Sequence, residues 1–385
     1  MKYKNLLVPI IFNLKNKNGH VYNYHFFIKE ICLRNNIDYK PIVFSSKIRF
    51  FFAKNQLPIY NSALDNSFIG ILKLIFLFKI KSVYKDIIFF YEKLKDLVSQ
   101  EQSRKINFFL ESFNLFNLIV LIYFATNNQF NKNLYYFILI RTHPKNGNFI
   151  TSIYYKIISL SIINFIKSFN KNNFKLITDT EILNQQLNKI YNHKFYYLPV
   201  PTFYSNYKIR EKLNRPSIIF PGEIRKDKNI KDMIYISSRI KFDKYMSVFF
   251  KKIFKHKNIN KIIYMNDGLS FIKYYNYIKK SDISILTLKP KFYKYSSSGT
   301  FIDSIVNRSI PLVYRGTSMS VLLRQNNLSE LIMINKYNFI NFINKYFNDN
   351  VFKNKIDKKF LNLHKKIRIM HSKEFFEKSF LHILK

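Results

Sequence analysis

Tryptophan is absent and a single cysteine, Cys32, stands among 385 residues. A lone cysteine excludes an internal disulfide, and no Cys/His cluster has zinc spacing, so the chain reads as one of a reducing compartment with no metal site. Glycine occurs only 7 times, so each glycine marks a place where another residue would not serve. Carboxylates are few: 23 Asp and Glu face 64 Lys and Arg, for a net charge of +41. Such a charge attracts anionic lipid surfaces, nucleic acids and phosphorylated substrates. The abundance of Lys, Asn, Ile, Phe and Tyr also follows from AT-rich codon use, which spreads lysine over the whole chain. No uninterrupted apolar run reaches the ~18 residues that span a bilayer. Met1–Phe12 begins basic and turns apolar, but Pro9 interrupts it and no small-residue cleavage site follows, so it reads as a first buried strand. The expectation is a cytoplasmic protein, soluble or peripheral on the inner face of the membrane.

What is present is enough apolar and aromatic residue (48% and 18%) for two cores of roughly 150–200 residues each. Leu6–Phe12, Pro41–Phe44, Tyr135–Ile140 and Phe174–Thr178 read as strands of a first half. Val21–Asn35 reads as a helix, and residues 66–126 as helix-rich and basic. Pro199 and Pro201 lie too close together for a central strand or a helix interior. They set a linker at 199–203, after a domain over 1–198. A second domain follows over 204–365, with a helical tail at 366–385. In the second half, Ser217–Phe220, Lys261–Met265, Ile283–Leu288 and Pro311–Tyr314 are strands alternating with helices. The expected class is α/β, with two Rossmann-like doubly wound parallel sheets facing a cleft.

Doubly wound sheets bind ligands at the carboxyl ends of their strands. Three loops fall there in the second half. In Pro221–Asn229, Gly222 permits a tight turn, while Arg225 and Lys228, three apart, face one anion at a helix start. Met265–Gly268 is a turn that could meet a base through backbone groups. Tyr293–Thr300 ends in Ser296, Ser297, Ser298, Gly299 and Thr300, a cradle of N–H and O–H donors for phosphate oxygens. Asp303 falls one helical turn later. A solvated basic loop, a plain turn and a simple N-cap are the alternatives for these three.

The run Ser281-Asp282-Ile283-Ser284-Ile285-Leu286, then Ser297-Ser298-Gly299-Thr300, Asp303 and Ile310-Pro311-Leu312-Val313, resembles the donor site of GT-B glycosyltransferases of the family 4 type. Gly222-Glu223-Ile224-Arg225 with Lys228-Asn229 is similar to that group's diphosphate loop. Leu198-Pro199-Val200-Pro201 is similar to its interdomain linker, and Asn18-Gly19-His20 to its N-terminal glycine loop. Retaining members carry Glu-x7-Glu; here Tyr295 stands at the first position and Asp303 at the second.

The resemblance implies a metal-independent, hexosyltransferase-like enzyme of surface polysaccharide or glycolipid assembly. It would move a sugar from a nucleoside-diphosphate sugar to a carbohydrate or lipid-linked acceptor, with no further cofactor. Gly222, Arg225, Lys228, Ser297, Ser298, Gly299 and Thr300 would hold the diphosphate, and Asp303 and Tyr295 the ribose and donor sugar. An inverting reaction needs a base, for which His143 and His20 are candidates, with Gly19 and Arg141 on the acceptor side. An anionic membrane surface would be a further partner for 66–126. The rivals are a basic nucleic-acid-binding protein, an epimerase or phosphorylase on the same fold, and a degenerate non-catalytic partner of a glycosyltransferase. The lysines are spread and no RNA-binding motif is present, so no nucleic acid is expected.

Overall fold

A computed structural model of the chain describes residues 5–12, 20–44, 80–111, 115–128, 131–141, 143, 156–160, 162–163, 173–202, 216–222, 225, 227–247, 262–265, 271–296 and 298–385. The chain divides into two compact units: Met1–Leu198 with Ser379–Lys385, and Pro199–Lys378.

The first unit carries β1 (Asn5–Phe12), α1 (His20–Arg34), β2 (Ile37–Tyr39), β3 (Ile42–Phe44), α2 (Ile80–Gln100), β4 (Lys105–Leu110), α3 (Leu115–Asn127), β5 (Leu134–Ile140), β6 (Phe174–Thr178), α4 (Glu181–Tyr191) and β7 (Phe195–Tyr197). Its sheet runs β2-β1-β4-β5-β6-β7 with β3 also on β1, and every pairing is parallel. Pro9 fits because the outer neighbour of β1 is broken at that point. β2 pairs with Asn5–Leu7 and β3 with Ile10–Phe12, so the missing proline N–H falls in the gap. The strands are buried on both faces, as apolar runs such as Tyr136–Ile140 require.

Three strands of the first unit were hidden in the sequence, the first being β2, the three residues directly ahead of Lys40 and Pro41. β4 lies inside the stretch that reads as helix-rich, and β7 inside the approach to the prolines. β7 is only three residues long, and in β4 Lys105 and Asn107 break up the apolar residues, so neither shows a clear period.

The second unit carries β8 (Ser217–Ile219), α5 (Ile230–Arg239), β9 (Asp243–Ser247), β10 (Ile262–Met265), α6 (Phe271–Lys280), β11 (Ile283–Leu286), α7 (Pro290–Tyr293), α8 (Gly299–Val306), β12 (Ile310–Tyr314), α9 (Ser318–Gln325), β13 (Ile332–Met333), α10 (Lys336–Asn348), α11 (Asn350–Met370) and the first half of α12 (Lys373–Leu384). Its parallel sheet runs β10-β9-β8-β11-β12-β13, so the strand order reverses between β8 and β11. Both units are doubly wound parallel sheets, as the strand-helix alternation predicts.

Asp282, part of the family-like run, lies at the amino end of β11. Its carboxylate accepts the Ser217 N–H at 3.1 Å and its own N–H donates to Ser217 O at 2.9 Å. It pins the two central strands together, at the end of the sheet remote from the loops discussed next.

The end of α12 packs in the first unit. Phe380 meets Phe109 edge to face at 5.8 Å, and Lys105 and Lys175 donate to the carbonyls of Leu384 and Ile383 at 3.0 and 2.6 Å. The two ammonium groups satisfy the last carbonyls of the helix, where the helix dipole is negative. Among the described residues no helix is long and apolar enough to cross a membrane.

Candidate functional site

The chain leaves β8 through Pro221 and turns at Gly222, whose φ of +78° favours glycine. A Cβ at Gly222 would stand 3.0 Å from Thr300 Cγ2 and 3.2 Å from Lys228 Nζ. The Gly222 backbone, the Lys228 ammonium and the start of α8 therefore converge where the strand order reverses. Lys228 is buried, and its Nζ donates to Pro221 O at 2.8 Å. α8 starts without a side-chain cap: Ser298 is extended, and its Oγ lies 2.7 Å from Thr300 Oγ1 instead. The first-turn N–H groups are thus not taken by a capping side chain, and the helix dipole adds positive potential there.

Backbone contacts join the two loops of this cradle. Lys228 and Leu288 form an antiparallel bridge, Asn229 N–H donates to Thr287 O at 2.8 Å, and Lys289 N–H donates to Asp227 O at 2.9 Å. Side chains add a clamp. The Tyr293 hydroxyl donates to Asp227 Oδ2 at 2.5 Å, and Arg225 Nη2 lies 3.1 Å from both groups. The Arg225 side chain is otherwise exposed, so this clamp holds its guanidinium on the loop.

One turn into α8, Asp303 is buried at 2% exposure and accepts from the Tyr275 hydroxyl at 3.1 Å. Its Oδ2 is buried with no hydrogen-bond partner among the described residues, and so is the hydroxyl of Tyr274. Burial pushes the Asp303 carboxyl up to about 7, against the pull of Tyr275. Tyr295 is half-buried, with Lys294 Nζ 5.3 Å from its ring centre. Ser297, Asn266, Asp267 and Gly268 lie outside the described residues, and so does Gly19.

The carboxyl edge of the first sheet holds a buried charge cluster. Glu111 follows β4, Arg141 follows β5 and Asp179 follows β6. Arg141 Nη1 donates to Glu111 Oε1 at 2.5 Å, and its Nε stands 3.4 Å from Asp179 Oδ2. His25 Nε2 meets Glu111 Oε2 at 2.8 Å. Burial alone would raise the Glu111 carboxyl, but Arg141 and His25 outweigh it and bring it down to about 2. Asp179 goes the other way: burial lifts it to about 6, with Arg141 opposing. Arg141 is thus engaged by two carboxylates. His143, two residues on, is buried at 1% exposure. His20 opens α1.

No family model matches the sequence, and no curated protein matches it either. Solved structures match over almost the whole chain. "Crystal Structure of TarM" aligns with a TM-score of 0.67 at 10% identity, covering 98% of each chain. A trehalose-6-phosphate protein from E. coli bound with UDP-2-fluoro glucose gives 0.63 at 10% identity, covering 99% of each. An alpha-glucosyltransferase in complex with UDP and a mismatched DNA gives 0.57 at 11% identity, covering 98% of this chain and 100% of that one.

The fold is GT-B. Within this GT-B chain the structure brings Gly222, Lys228, Ser298, Gly299 and Thr300 together and sets Arg225 on the same loop. Asp303 lies one turn further along α8. Sequence reasoning assigned no role to Tyr293, Asp227 and Tyr275, which orient that machinery, or to the His25–Glu111 pair. The scarcity of acids was the available signal: with so few carboxylates, those next to strand ends stand out.

Proposed function

We propose that the protein is a glycosyltransferase that moves a sugar from a nucleoside-diphosphate sugar to an acceptor hydroxyl. The observation that carries this is the meeting of Lys228 Nζ, the Gly222 backbone and Thr300 at the uncapped start of α8. A diphosphate needs such a place, where a cation and N–H groups converge and no Cβ intrudes. The buried, partnerless Asp303 Oδ2 fits a ribose hydroxyl as donor. Two structures of the same fold are complexes with UDP and with UDP-2-fluoro glucose, which supports a nucleotide donor here.

In this reading the bond between the anomeric carbon and the diphosphate oxygen breaks as the acceptor oxygen bonds to that carbon. Lys228, Arg225 and the N–H groups of Ser298, Gly299 and Thr300 stabilise the charge on the leaving diphosphate, without a metal. Ser297 belongs to the same cradle and Tyr295 to the donor sugar. His143 or His20 takes the acceptor proton if the reaction inverts. Gly19 and Arg141 belong to the acceptor side. A hexose donor, a carbohydrate or lipid-linked acceptor on an anionic membrane surface, and a place in surface polysaccharide or glycolipid assembly complete the reading.

The test is calorimetry of the intact protein with UDP, GDP and their sugars. We expect binding that weakens at least tenfold in Lys228→Ala and less in Arg225→Ala. Absence of nucleotide binding, or binding indifferent to both changes, would sink the assignment. Tighter binding to RNA with a steep salt dependence would favour the nucleic-acid rival.

A further inference from the structure

The second unit has another pocket at the carboxyl edge of its sheet. It has a volume of about 420 Å³ and is lined by Asn229, Asp232, Lys289, Tyr314, Arg315 and Lys336, among others. That is the size range of small-molecule sites. Its walls come from the starts of α5 and α10, which pack on each other, whereas the Asp303 helix α8 packs on α6 and α11. In a doubly wound sheet these two sets of helices cover opposite faces. The pocket therefore lies on the other side of the sheet from Asp303.

Its charge is one-sided. Lys289, Arg315 and Lys336 face a single acid, Asp232. That carboxylate is already taken: it accepts from the Tyr314 hydroxyl and from Asn229 Nδ2. Arg315 forms no ion pair among the described residues. Its N–H donates to Met333 O at 2.8 Å, which fixes its backbone at the rim. Lys336 Nζ sits 4.1 Å over the Tyr235 ring and 5.4 Å from that of Tyr337. The rings hold the ammonium in place without cancelling its charge. At the mouth, Ile334 and Tyr337 are 67% and 53% exposed, an apolar and aromatic wall beside the cations.

We propose that this pocket binds a phosphate-bearing small molecule, with the phosphate on Lys289, Arg315 and Lys336 and a sugar-like ring against Tyr337 and Ile334. The site is independent of the donor cradle but touches its supports. Asn229 and Lys289 line the pocket, and they flank the Lys228–Leu288 bridge that holds Lys228 in the cradle.

The test is calorimetry on the full chain at physiological salt with ribose 5-phosphate as the probe and unphosphorylated ribose as its control. Ribose 5-phosphate is expected to bind and ribose is not. Arg315→Ala and Arg315→Ala/Lys336→Ala are expected to weaken the probe at least tenfold, with thermal unfolding showing that both variants fold. Lys228→Ala, and Lys365→Ala/Lys366→Ala on the exposed face of α11, are expected to leave it unchanged. No binding at millimolar probe overturns the proposal. So does an equal loss in the Lys365/Lys366 pair, which would mean attraction to net charge alone. Loss in Lys228→Ala with retention in Arg315→Ala overturns it too, by moving the ligand to the donor cradle. None of these outcomes bears on whether UDP binds, which is measured separately.

Discussion

Tyr293 and Asp227 are joined hydroxyl to carboxylate at 2.5 Å across the two loops of the cradle, and Arg225 is held by both. Tyr293→Phe removes that link and leaves the ring packing. A lost hydrogen bond to a charged group is worth about 1.5–3 kcal/mol when buried and less here, where Arg225 is exposed. Nucleotide affinity is expected to fall roughly threefold to tenfold. Arg225→Ala added to Tyr293→Phe should then cost less than Arg225→Ala alone, since the arginine has already lost its anchor. A double-mutant cycle by calorimetry reads this directly, and full additivity would show that the clamp does not position Arg225.

Gly222→Ala places a methyl 3.0 Å from Thr300 and 3.2 Å from Lys228 Nζ at a positive φ. Strain of this kind costs on the order of 1–3 kcal/mol. The Cβ also fills the space a diphosphate oxygen would use. Both a lower unfolding temperature and loss of UDP binding are expected. An alanine variant that binds UDP as tightly as the parent would show that the ligand does not approach this backbone.

Asp303 ties stability to pH. Its carboxyl keeps its proton to about 7 in the folded chain and loses it near 3.8 when unfolded. Between those values unfolding releases a proton, so this group's contribution is full below 3.8 and is lost as pH rises through 7. Asp303→Asn should remove that slope and stabilise the protein above pH 7 by on the order of 1–3 kcal/mol. Denaturant unfolding at pH 5 and pH 8 measures it. An unchanged difference between the two pH values would refute the buried neutral carboxyl.

Glu111 has the opposite sign. Its carboxyl is held at about 2 against an ordinary 4.5, so its contribution is present above 4.5 and lost as pH falls towards 2. Glu111→Gln leaves Arg141 facing Asp179 alone and breaks the bond pattern to His25. Breaking a buried ion pair from one side costs about 3–5 kcal/mol. A loss of that size near pH 7, shrinking towards pH 3, is the expected outcome in urea titrations at the two pH values.

The strand-helix alternation and the two loops that meet at the carboxyl edge of the second sheet were legible because glycine is rare and the strands are apolar runs bounded by turns. Gly222 and Gly299 marked the two loops that meet. The strand Asp243–Ser247 was not legible, since Asp243, Lys244 and Ser247 give it a loop-like composition although Tyr245 and Met246 are buried. The clamp was hidden for another reason. Tyr293 and Asp227 are 66 residues apart, and only the bridge between Lys228 and Leu288 brings their loops together. The same holds for Glu111, just past the end of β4, and His25, inside α1, which are 86 residues apart. Pairwise chemistry across a parallel sheet leaves no local period to read.

The last helix has a consequence for synthesis on the ribosome. Ser379–Lys385 belongs to the unit that begins the chain, with Phe380 against Phe109 and two lysines on the final carbonyls. The leading unit therefore waits for the tail. It can reach its finished packing only after the whole second unit has been translated, and a nascent chain stalled before Phe380 leaves Phe109 without the ring that packs on it.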